Sequence, residues 1–218
     1  MKALALAAAL MAAPALAHHV ELLPPLEFVP PAPGTYVLHH IMSAPEGTVL
    51  GLDGRAAPLS RYTREKITLL GFIYTTCSDP EGCPLAYRVF EALKDAIAQR
   101  PGLHGKVRFV TLSFDPARDT PEVMSRYAGS RAVEKANGLR WYFLTTRSAR
   151  ELLPLVEGFG QDVRRTRSGR ELSHVLKVFL IDRGGDVREI YSSNFLHPQV
   201  VLNDIETLLA EERQGSEH

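Results

Sequence analysis

Two long apolar runs in the middle of the chain predict the centre of the fold. Residues 67–74 are apolar at nearly every position, and residues 107–114 form a second such run. Continuous apolar runs of this length are typical of strands that are covered on both faces of a sheet. Between them, a polar segment leads into a helical pattern over 85–100. The pattern therefore predicts two parallel strands joined by a helix, with the right-handed connection that such units adopt.

The alternation of strands and helices continues to the C-terminus. In chain order, the later predicted elements are a helix beginning at Asp119-Thr120-Pro121-Glu122, a strand at 141–144, a helix at 148–158, strands at 175–181 and 187–191 joined as a hairpin, and a helix from 197 to 211. The first of these helices starts with a capping residue, a proline and an acidic first turn, and Asp115 and Asp119 are interpreted as turn and capping residues. This order predicts an α/β fold, a thioredoxin-like sandwich around a central mixed β-sheet.

The segment before the first central strand is predicted to extend this domain. Residues 35–41 and 48–52 are short β-like runs, and Asp53-Gly54 follows the second run as a turn signal. We therefore expect an N-terminal β-hairpin extension. The domain is predicted to span 35–212 and to be followed by a disordered tail at 213–218.

The first residues of the chain have the pattern of an export signal. Met1-Lys2 gives a positive start, residues 3–13 form a short apolar run, and Ala15-Leu16-Ala17 is a small-x-small cleavage site. An uncleaved membrane anchor is the alternative, but the apolar run is too short for a comfortable membrane span. We predict a signal peptide over 1–17 that is cleaved between Ala17 and His18. The mature protein is then expected to be soluble in the periplasm, with no stable membrane span.

The predicted mature protein begins with an arm, residues 18–34, whose five prolines favour an extended, semi-rigid chain. His18-His19 would stand at the new N-terminus, where a free amine and an imidazole can bind Cu(II), although a disordered end is the simpler interpretation. His39-His40 with Met42 is a further candidate metal site. It is disfavoured because neighbouring side chains on a strand face opposite sides.

The charge balance bears on the class of partner. The chain has 25 basic and 25 acidic residues and a formal net charge of +0, whereas nucleic-acid-binding domains usually carry a strong basic bias. We therefore predict no nucleic-acid partner. A basic loop at Arg164, Arg165, Arg167 and Arg170 is interpreted as solvated, with docking to an acidic partner as the alternative.

The chain has two cysteines, Cys77 and Cys83, with five residues between them. A structural disulfide is possible in an oxidising compartment, but closing so short a loop removes little chain entropy and stabilises the fold weakly. Redox chemistry and metal binding are therefore the better explanations. Cys83 is predicted at a helix N-terminus, with Pro84 in the first turn, where the helix dipole lowers the pKa of a thiol. Cys77 leaves the end of a central strand and can turn back toward the same point.

Two thiolates and one imidazole form a ligand set suited to copper. Thiolates are soft ligands that favour Cu(I), and copper leads the affinity order of the divalent first-row metals. His174 precedes the strand predicted at 175–181, in a loop that lies across from the cysteine-bearing helix in this fold. The sequence therefore predicts a site for one copper per monomer at Cys77, Cys83 and His174. The same two cysteines without a metal would be the catalytic redox pair of a thiol-disulfide oxidoreductase.

Several separate motifs resemble the Sco/SenC proteins. In chain order they are Phe72-Ile73-Tyr74-Thr75-Thr76-Cys77, Cys83-Pro84, the stretch from Leu112 to Glu122, Ser173-His174, and the hairpin from Leu180 to Gly185. The resemblance covers about residues 35–209 and implies a periplasmic or organellar copper-binding thioredoxin fold. Such proteins help to assemble the dinuclear copper centre of cytochrome c oxidase, as copper donors, thiol-disulfide reductants, or both. The implied partner is a copper-receiving oxidase subunit or a copper donor protein, and the implied copper ligands fall on Cys77, Cys83 and His174.

Two positions depart from the pattern that this resemblance leads us to expect. The family usually has three residues between its cysteines, whereas five separate Cys77 from Cys83 here. It also commonly has an aspartate before the histidine, where this chain has Ser173. The longer loop changes how the two sulfurs approach one ion, and the serine removes a carboxylate that would orient the imidazole.

Overall fold

The structure is a computed structural model that describes residues 23, 25–133, 137–165 and 172–215. The predicted signal peptide and its cleavage site, His18, His19, Arg167 and Arg170 lie outside the described residues. Within the described ranges, no helix is both long enough and apolar enough to cross a membrane.

A mixed six-stranded sheet forms the centre of the fold. The strands of the described residues are β1 (Met42–Ser43), β2 (Thr48–Leu50), β3 (Ala56–Pro58), β4 (Ile67–Ile73), β5 (Val107–Ser113), β6 (Arg140–Leu144), β7 (Arg164–Arg165), β8 (Leu172–Ser173), β9 (Val178–Ile181) and β10 (Asp186–Tyr191). The central sheet has the order β1-β10-β9-β4-β5-β6, and β2-β3 and β7-β8 form separate hairpins. Strands β4, β5 and β6 are parallel, whereas β9 is antiparallel to both β4 and β10. The predicted α/β class and central mixed sheet are confirmed.

Helices cover the sheet and complete the core. They are α1 (Ser60–Thr63), α2 (Cys83–Ala98), α3 (Pro121–Ala128), α4 (Ala149–Gly158) and α5 (Pro198–Gly215). All seven residues of β4 and all seven of β5 are buried, as their apolar runs predict. Phe90 of α2 packs on Phe109 and Trp141 with ring centroids 5.1 and 5.4 Å away. Phe72 of β4 stacks on Phe114 at 4.9 Å, so aromatic contacts fix the end of β4 from which the cysteine loop starts.

The N-terminal segment differs in part from its prediction. The hairpin β2-β3 forms around the Asp53-Gly54 turn as expected, but residues 35–41 are not a strand, and pairing with the sheet begins at β1. The Leu38 amide instead donates to the Glu211 carboxylate of α5, and its carbonyl accepts from Arg188. The expectation of a strand was wrong because side chains, rather than a neighbouring strand, satisfy the backbone groups of Leu38. Backbone bonding to β10 begins at Ile41, whose amide donates to the Val187 carbonyl at 3.0 Å.

The last helix holds the start of the described chain against the domain. Asn203 donates to the Pro31 carbonyl at 2.7 Å, and the Gly34 amide donates to the Thr207 hydroxyl at 2.9 Å. The Tyr36 hydroxyl donates to Asp204 at 2.5 Å. The described part of the arm therefore runs along α5. That helix continues to Gly215, into the segment predicted as a tail.

Candidate metal centre

Two consecutive turns connect β4 to α2 and carry the cysteines. The Cys77 amide donates to the Tyr74 carbonyl at 3.1 Å, which closes the first turn. The Gly82 amide donates to the Asp79 carbonyl at 3.0 Å, which closes the second. Helix α2 then begins at Cys83. The second turn takes up the extra length of the loop, so five intervening residues still bring both sulfurs to one place.

The structure brings the three predicted ligands together. The Sγ atom of Cys83 lies 3.8 Å from Nε2 of His174, and the donor atoms of Cys77, Cys83 and His174 all lie within 4.8 Å of one another. Both cysteines are free thiols. Metal–sulfur and metal–nitrogen bonds of about 2.0–2.3 Å place the donors of one ion roughly 3.5–4 Å apart. The set therefore fits a single soft metal ion after a shift of less than about 1 Å.

The imidazole of His174 is oriented by a backbone carbonyl. Its Nδ1 lies 3.3 Å from the Leu172 carbonyl oxygen. A carbonyl only accepts, so Nδ1 carries the proton and Nε2 presents its lone pair to the sulfurs. The ring also packs against Tyr74 and Phe114, with centroids 5.7 and 5.1 Å away. The carbonyl thus performs the orienting task for which the resemblance led us to expect a carboxylate at position 173.

The two thiols have unlike acidities. The pKa of Cys77 is lowered to about 5, first by the hydrogen bond from the Cys83 thiol, and further by backbone N–H groups of Cys83 and Asp79 and by the Tyr74 hydroxyl, which outweigh burial. The pKa of Cys83 is raised, first by its hydrogen bond to Cys77 and then by burial. The expectation that the helix N-terminus lowers the pKa of Cys83 was wrong. The backbone N–H at the start of α2 lowers the pKa of both thiols. At Cys83 this effect is outweighed, because the sulfur is bonded to Cys77, is only 2% exposed and has the Cys77 charge beside it.

Asp119 is a residue of the site whose role sequence reasoning missed. Its carboxylate is 1% exposed and accepts from the Thr75 amide at 3.1 Å, the Thr75 hydroxyl at 2.5 Å and the Ser113 hydroxyl at 2.5 Å. Thr120, its neighbour, caps α3 by accepting from the Val123 amide. Asp119 therefore ties the cysteine loop to the end of β5. Asp119 and Thr120 can both cap a helix, and a helix needs one N-cap. This redundancy in the sequence indicated that one of the two side chains has other partners.

An open cleft gives access to the sulfurs. It has a volume of about 380 Å³, and its walls include Tyr74, Tyr87, Tyr127 and Arg131 beside the two cysteines. The Arg131 guanidinium lies over the Tyr87 ring, 4.6 Å from its centroid, and is held by Glu91 at 2.7 Å. Cys77 is partly exposed and Cys83 is buried, so a partner entering this cleft meets Cys77 first.

The remaining candidates are not part of this centre. His40 lies 3.5 Å from the Asp186 carboxylate, and Asp115 is a buried turn residue whose amide donates to the Ser113 hydroxyl at 3.0 Å. Among the residues that the structure describes, Cys77, Cys83 and His174 are the one group of three or more side chains placed to hold a metal ion.

Comparisons with known proteins agree with the motifs. A family model described as SCO1/SenC matches residues 53–210, while a search of curated proteins finds no match. Among solved structures, the chain is similar to a SCO1/SenC family lipoprotein from Bacillus anthracis str. Ames, at 22% identity over 77% of this chain and 95% of that chain, with a TM-score of 0.64. It is also similar to Arabidopsis thaliana ScoI with copper bound, at 20% identity over 76% and 97% of the two chains, with a TM-score of 0.63.

A third similar structure is BsSco, described as a member of the Sco family of cytochrome c oxidase assembly proteins in which a disulfide switch is identified. The identity is 20% over 78% of this chain and 95% of that chain, with a TM-score of 0.62. At such identities the likeness concerns the fold. The predicted thioredoxin-like sandwich is confirmed.

Proposed function

The chain belongs to the SCO1/SenC family. We propose that it is an extracytoplasmic protein that binds one copper ion and delivers it during assembly of an oxidase of the cytochrome c oxidase type. The proposed ligands are Cys77, Cys83 and His174. The observation that carries the proposal is their convergence: three donor atoms, two from the connection between β4 and α2 and one from the loop before β9, lie within 4.8 Å of one another. Similar proteins named above contain copper or act in oxidase assembly, which supports the same assignment.

The protonation states of the site suit a soft cation as cargo. With a pKa of about 5, Cys77 is a thiolate at neutral pH, and His174 presents the lone pair of Nε2. Cys83 retains its proton in the metal-free protein, since the neighbouring thiolate raises its pKa. It loses that proton when copper binds, because only the thiolate is a strong ligand. We therefore expect about one proton to be released for each copper bound.

A second function, thiol-disulfide exchange by Cys77 and Cys83 without metal, is favoured by the thiolate character of Cys77. In that reaction the Cys77 thiolate attacks a partner disulfide and expels one partner sulfur as a thiolate. The Cys83 thiolate then attacks Cys77 in the mixed disulfide and releases the second partner sulfur. The cysteine pair is oxidised to a disulfide and the partner disulfide is reduced to two thiols.

Metal binding by purified variants tests the copper proposal. The reduced protein is expected to bind about one copper, with a sulfur-to-copper charge-transfer band in the Cu(II) form. Cys77→Ser and Cys83→Ser should each abolish tight binding, and His174→Ala should weaken it and shift the band. His39→Ala, at an exposed position outside the cluster, is the matched control and should bind as the parent does. Equal copper binding by the parent and all of the variants would refute the site.

Shortening the loop separates delivery from reduction. Deleting two residues between Cys77 and Cys83 gives the three-residue spacing that the family resemblance leads us to expect. If delivery is the function, the deletion should leave copper affinity unchanged or raise it. Copper affinity should then not change in parallel with reductase activity. If the parent binds no copper but reduces protein disulfides through this pair, the exchange function replaces the copper proposal.

The extracytoplasmic location rests on the N-terminal pattern, so it has a test of its own. The intact mass of protein recovered from its native compartment should correspond to a chain that begins at His18. A mass that includes Met1 would contradict this part of the proposal.

A further inference from the structure

The direction of the strands places two further loops at the cysteine end of the sheet. Strand β9 is antiparallel to both β4 and β10, so β4 and β10 run the same way. The loop that follows β10, residues 192–197, therefore lies at the same end as the cysteine loop. The segment 174–177, which precedes β9, lies there too. Whatever approaches the copper ligands from this end of the molecule also meets these two loops.

Large apolar side chains are exposed in these loops. Phe195 is 55% exposed and Val175, next to His174, is 66% exposed. The N-terminal arm adds Phe28, which is 41% exposed and whose ring centroid lies 6.0 Å from that of Phe195. We call the packed pair Phe28 and Phe195, together with Val175 at the same end of the sheet, the apolar rim. Grouped exposed apolar side chains on a soluble domain are typical of a surface that another molecule covers.

A cleft between the arm and Phe195 joins this rim to the cysteine loop. It has a volume of about 500 Å³, and Glu81 and Leu85 form its wall on the side of the copper ligands. Glu81 lies between the two cysteines in sequence, and Leu85 lies in the first turn of α2. A cleft of this size falls in the range of ligand-binding cavities, about 300–1,000 Å³. It is large enough to receive a side chain from a partner.

Three exposed carboxylates lie on the cleft and on the cysteine loop. Glu27, Asp79 and Glu81 are exposed, and none of the three forms an ion pair in the part of the chain that the structure describes. Two copies of this chain that met through this surface would place like charges together, which disfavours self-association here. A partner with positive charges around an apolar contact has no such penalty.

We propose that the apolar rim, together with Glu27, Asp79 and Glu81, is the docking surface for the protein that exchanges copper with this chain. That partner presents a protruding apolar side chain, which enters the cleft beside Phe195, flanked by lysine or arginine side chains that face the three carboxylates. The inference rests on the proposed copper delivery and identifies the chemistry of the recipient's surface. Apolar contacts of this kind supply binding energy and slow dissociation, whereas complementary charges accelerate association.

Copper transfer kinetics test the docking surface. The copper-loaded chain is mixed with the metal-free oxidase subunit from the same organism that carries the dinuclear copper centre, and the second-order transfer rate is measured at two salt concentrations. Phe195→Ser and Phe28→Ser should each slow transfer by about tenfold, without changing copper affinity. Leu153→Ser on α4, which removes a side chain of similar exposure (54%) that is not in the cleft, is the matched control. It should transfer at the parent rate.

The charged residues give a second, independent readout. Raising the salt concentration should slow transfer by the parent, because screening weakens attraction between exposed charges. In Glu27→Gln/Glu81→Gln, transfer at low salt should be slower and this salt dependence smaller. If the phenylalanine variants transfer copper at the parent rate, or slow transfer only by weakening copper binding, the docking surface is wrong while copper delivery stands. If the parent binds copper but passes none to the oxidase subunit, the delivery proposal fails and this inference fails with it.

Discussion

Replacing Asp119 by alanine is expected to destabilise the reduced, metal-free protein by about 3 kcal/mol. The carboxylate is almost fully buried and accepts three hydrogen bonds, two from Thr75 and one from Ser113. A buried donor left without an acceptor costs about 1–3 kcal/mol. In the alanine variant the two hydroxyl groups can rotate toward other acceptors, but the Thr75 amide cannot. The expected loss of unfolding free energy is therefore about 3 kcal/mol, the upper end of the range for one unsatisfied donor, and not the full cost of three.

Asp119→Asn is the matched control, because an asparagine can occupy the same space and keep most of the contacts. The Oδ2 atom accepts from the Thr75 amide and the Ser113 hydroxyl, and Oδ1 accepts from the Thr75 hydroxyl alone. An amide oxygen at the Oδ2 position retains both of its donors. The amide nitrogen then donates to the Thr75 hydroxyl, which can accept as well as donate. Charge assistance is lost, and the second N–H of the amide gains no acceptor among these contacts, so we expect a cost of about 1–2 kcal/mol, smaller than that of alanine.

Urea unfolding of the two variants, together with their Cu(II) spectra, is the assay. Thr75 lies two residues before Cys77, so a loosened anchor should also weaken copper binding and broaden the charge-transfer band in Asp119→Ala. Asp119→Asn should lie between the parent and Asp119→Ala in urea unfolding, and close to the parent in its Cu(II) spectrum. The reasoning is refuted if Asp119→Ala unfolds within about 0.5 kcal/mol of the parent, or if the asparagine variant loses as much as the alanine variant.

Two further predictions concern the thiols and the packing of α4. In the reduced, metal-free protein, the rate at which iodoacetamide modifies Cys77 should rise with pH through about 5, where the lowered pKa of Cys77 lies, and be level by about pH 7. An ordinary thiol instead gains reactivity through about pH 8.5. Site-resolved mass spectrometry should show Cys83 unmodified, and an inflection near pH 8.5 at Cys77 would contradict the assignment. Gly158→Ala should lower the free energy of unfolding in urea by about 1–3 kcal/mol, because the added Cβ would lie 2.5 Å from Cβ of Pro45. Gly102→Ala is the control, since no heavy atom lies within 4 Å of a Cβ added there. Equal stability of the two variants would contradict the prediction and show that Pro45 moves away freely.

Much of the fold could be predicted because its central elements are defined by local pattern. The runs at β4 and β5 are apolar at nearly every position, and burial on both faces of a sheet leaves few other structures for such sequences. The prediction of a strand at 35–41 was wrong for the opposite reason. The composition of this segment is β-like, but the backbone of Leu38 at its centre is bonded by the side chains of Arg188 and Glu211, 150 and 173 residues away along the chain. No local pattern shows such partners.

The convergence of three side chains could be predicted, but the distribution of charge among them could not. Residue type and order single out Cys77, Cys83 and His174 as the proposed ligands, since few side chains bind soft metals, and the structure places their donor atoms within 4.8 Å of one another. Which thiol ionises depends on which sulfur accepts the hydrogen bond between them and which sulfur is shielded from water. The role of Asp119 likewise depends on Thr75 and Ser113 being brought together by two parallel strands, β4 and β5.

The unequal burial of the two sulfurs has the same consequence for both proposed reactions. In the proposed copper transfer, a recipient's ligand that enters from the cleft would meet Cys77 first, so Cys77 is expected to be exchanged while Cys83 and His174 still hold the ion. In thiol-disulfide exchange, the nucleophile must be both ionised and accessible, and Cys77 again meets both conditions. Cys83 would then act from inside the protein, as a ligand that still holds the ion or as the thiol that resolves the mixed disulfide. One arrangement of buried and exposed sulfur therefore suits both proposed reactions.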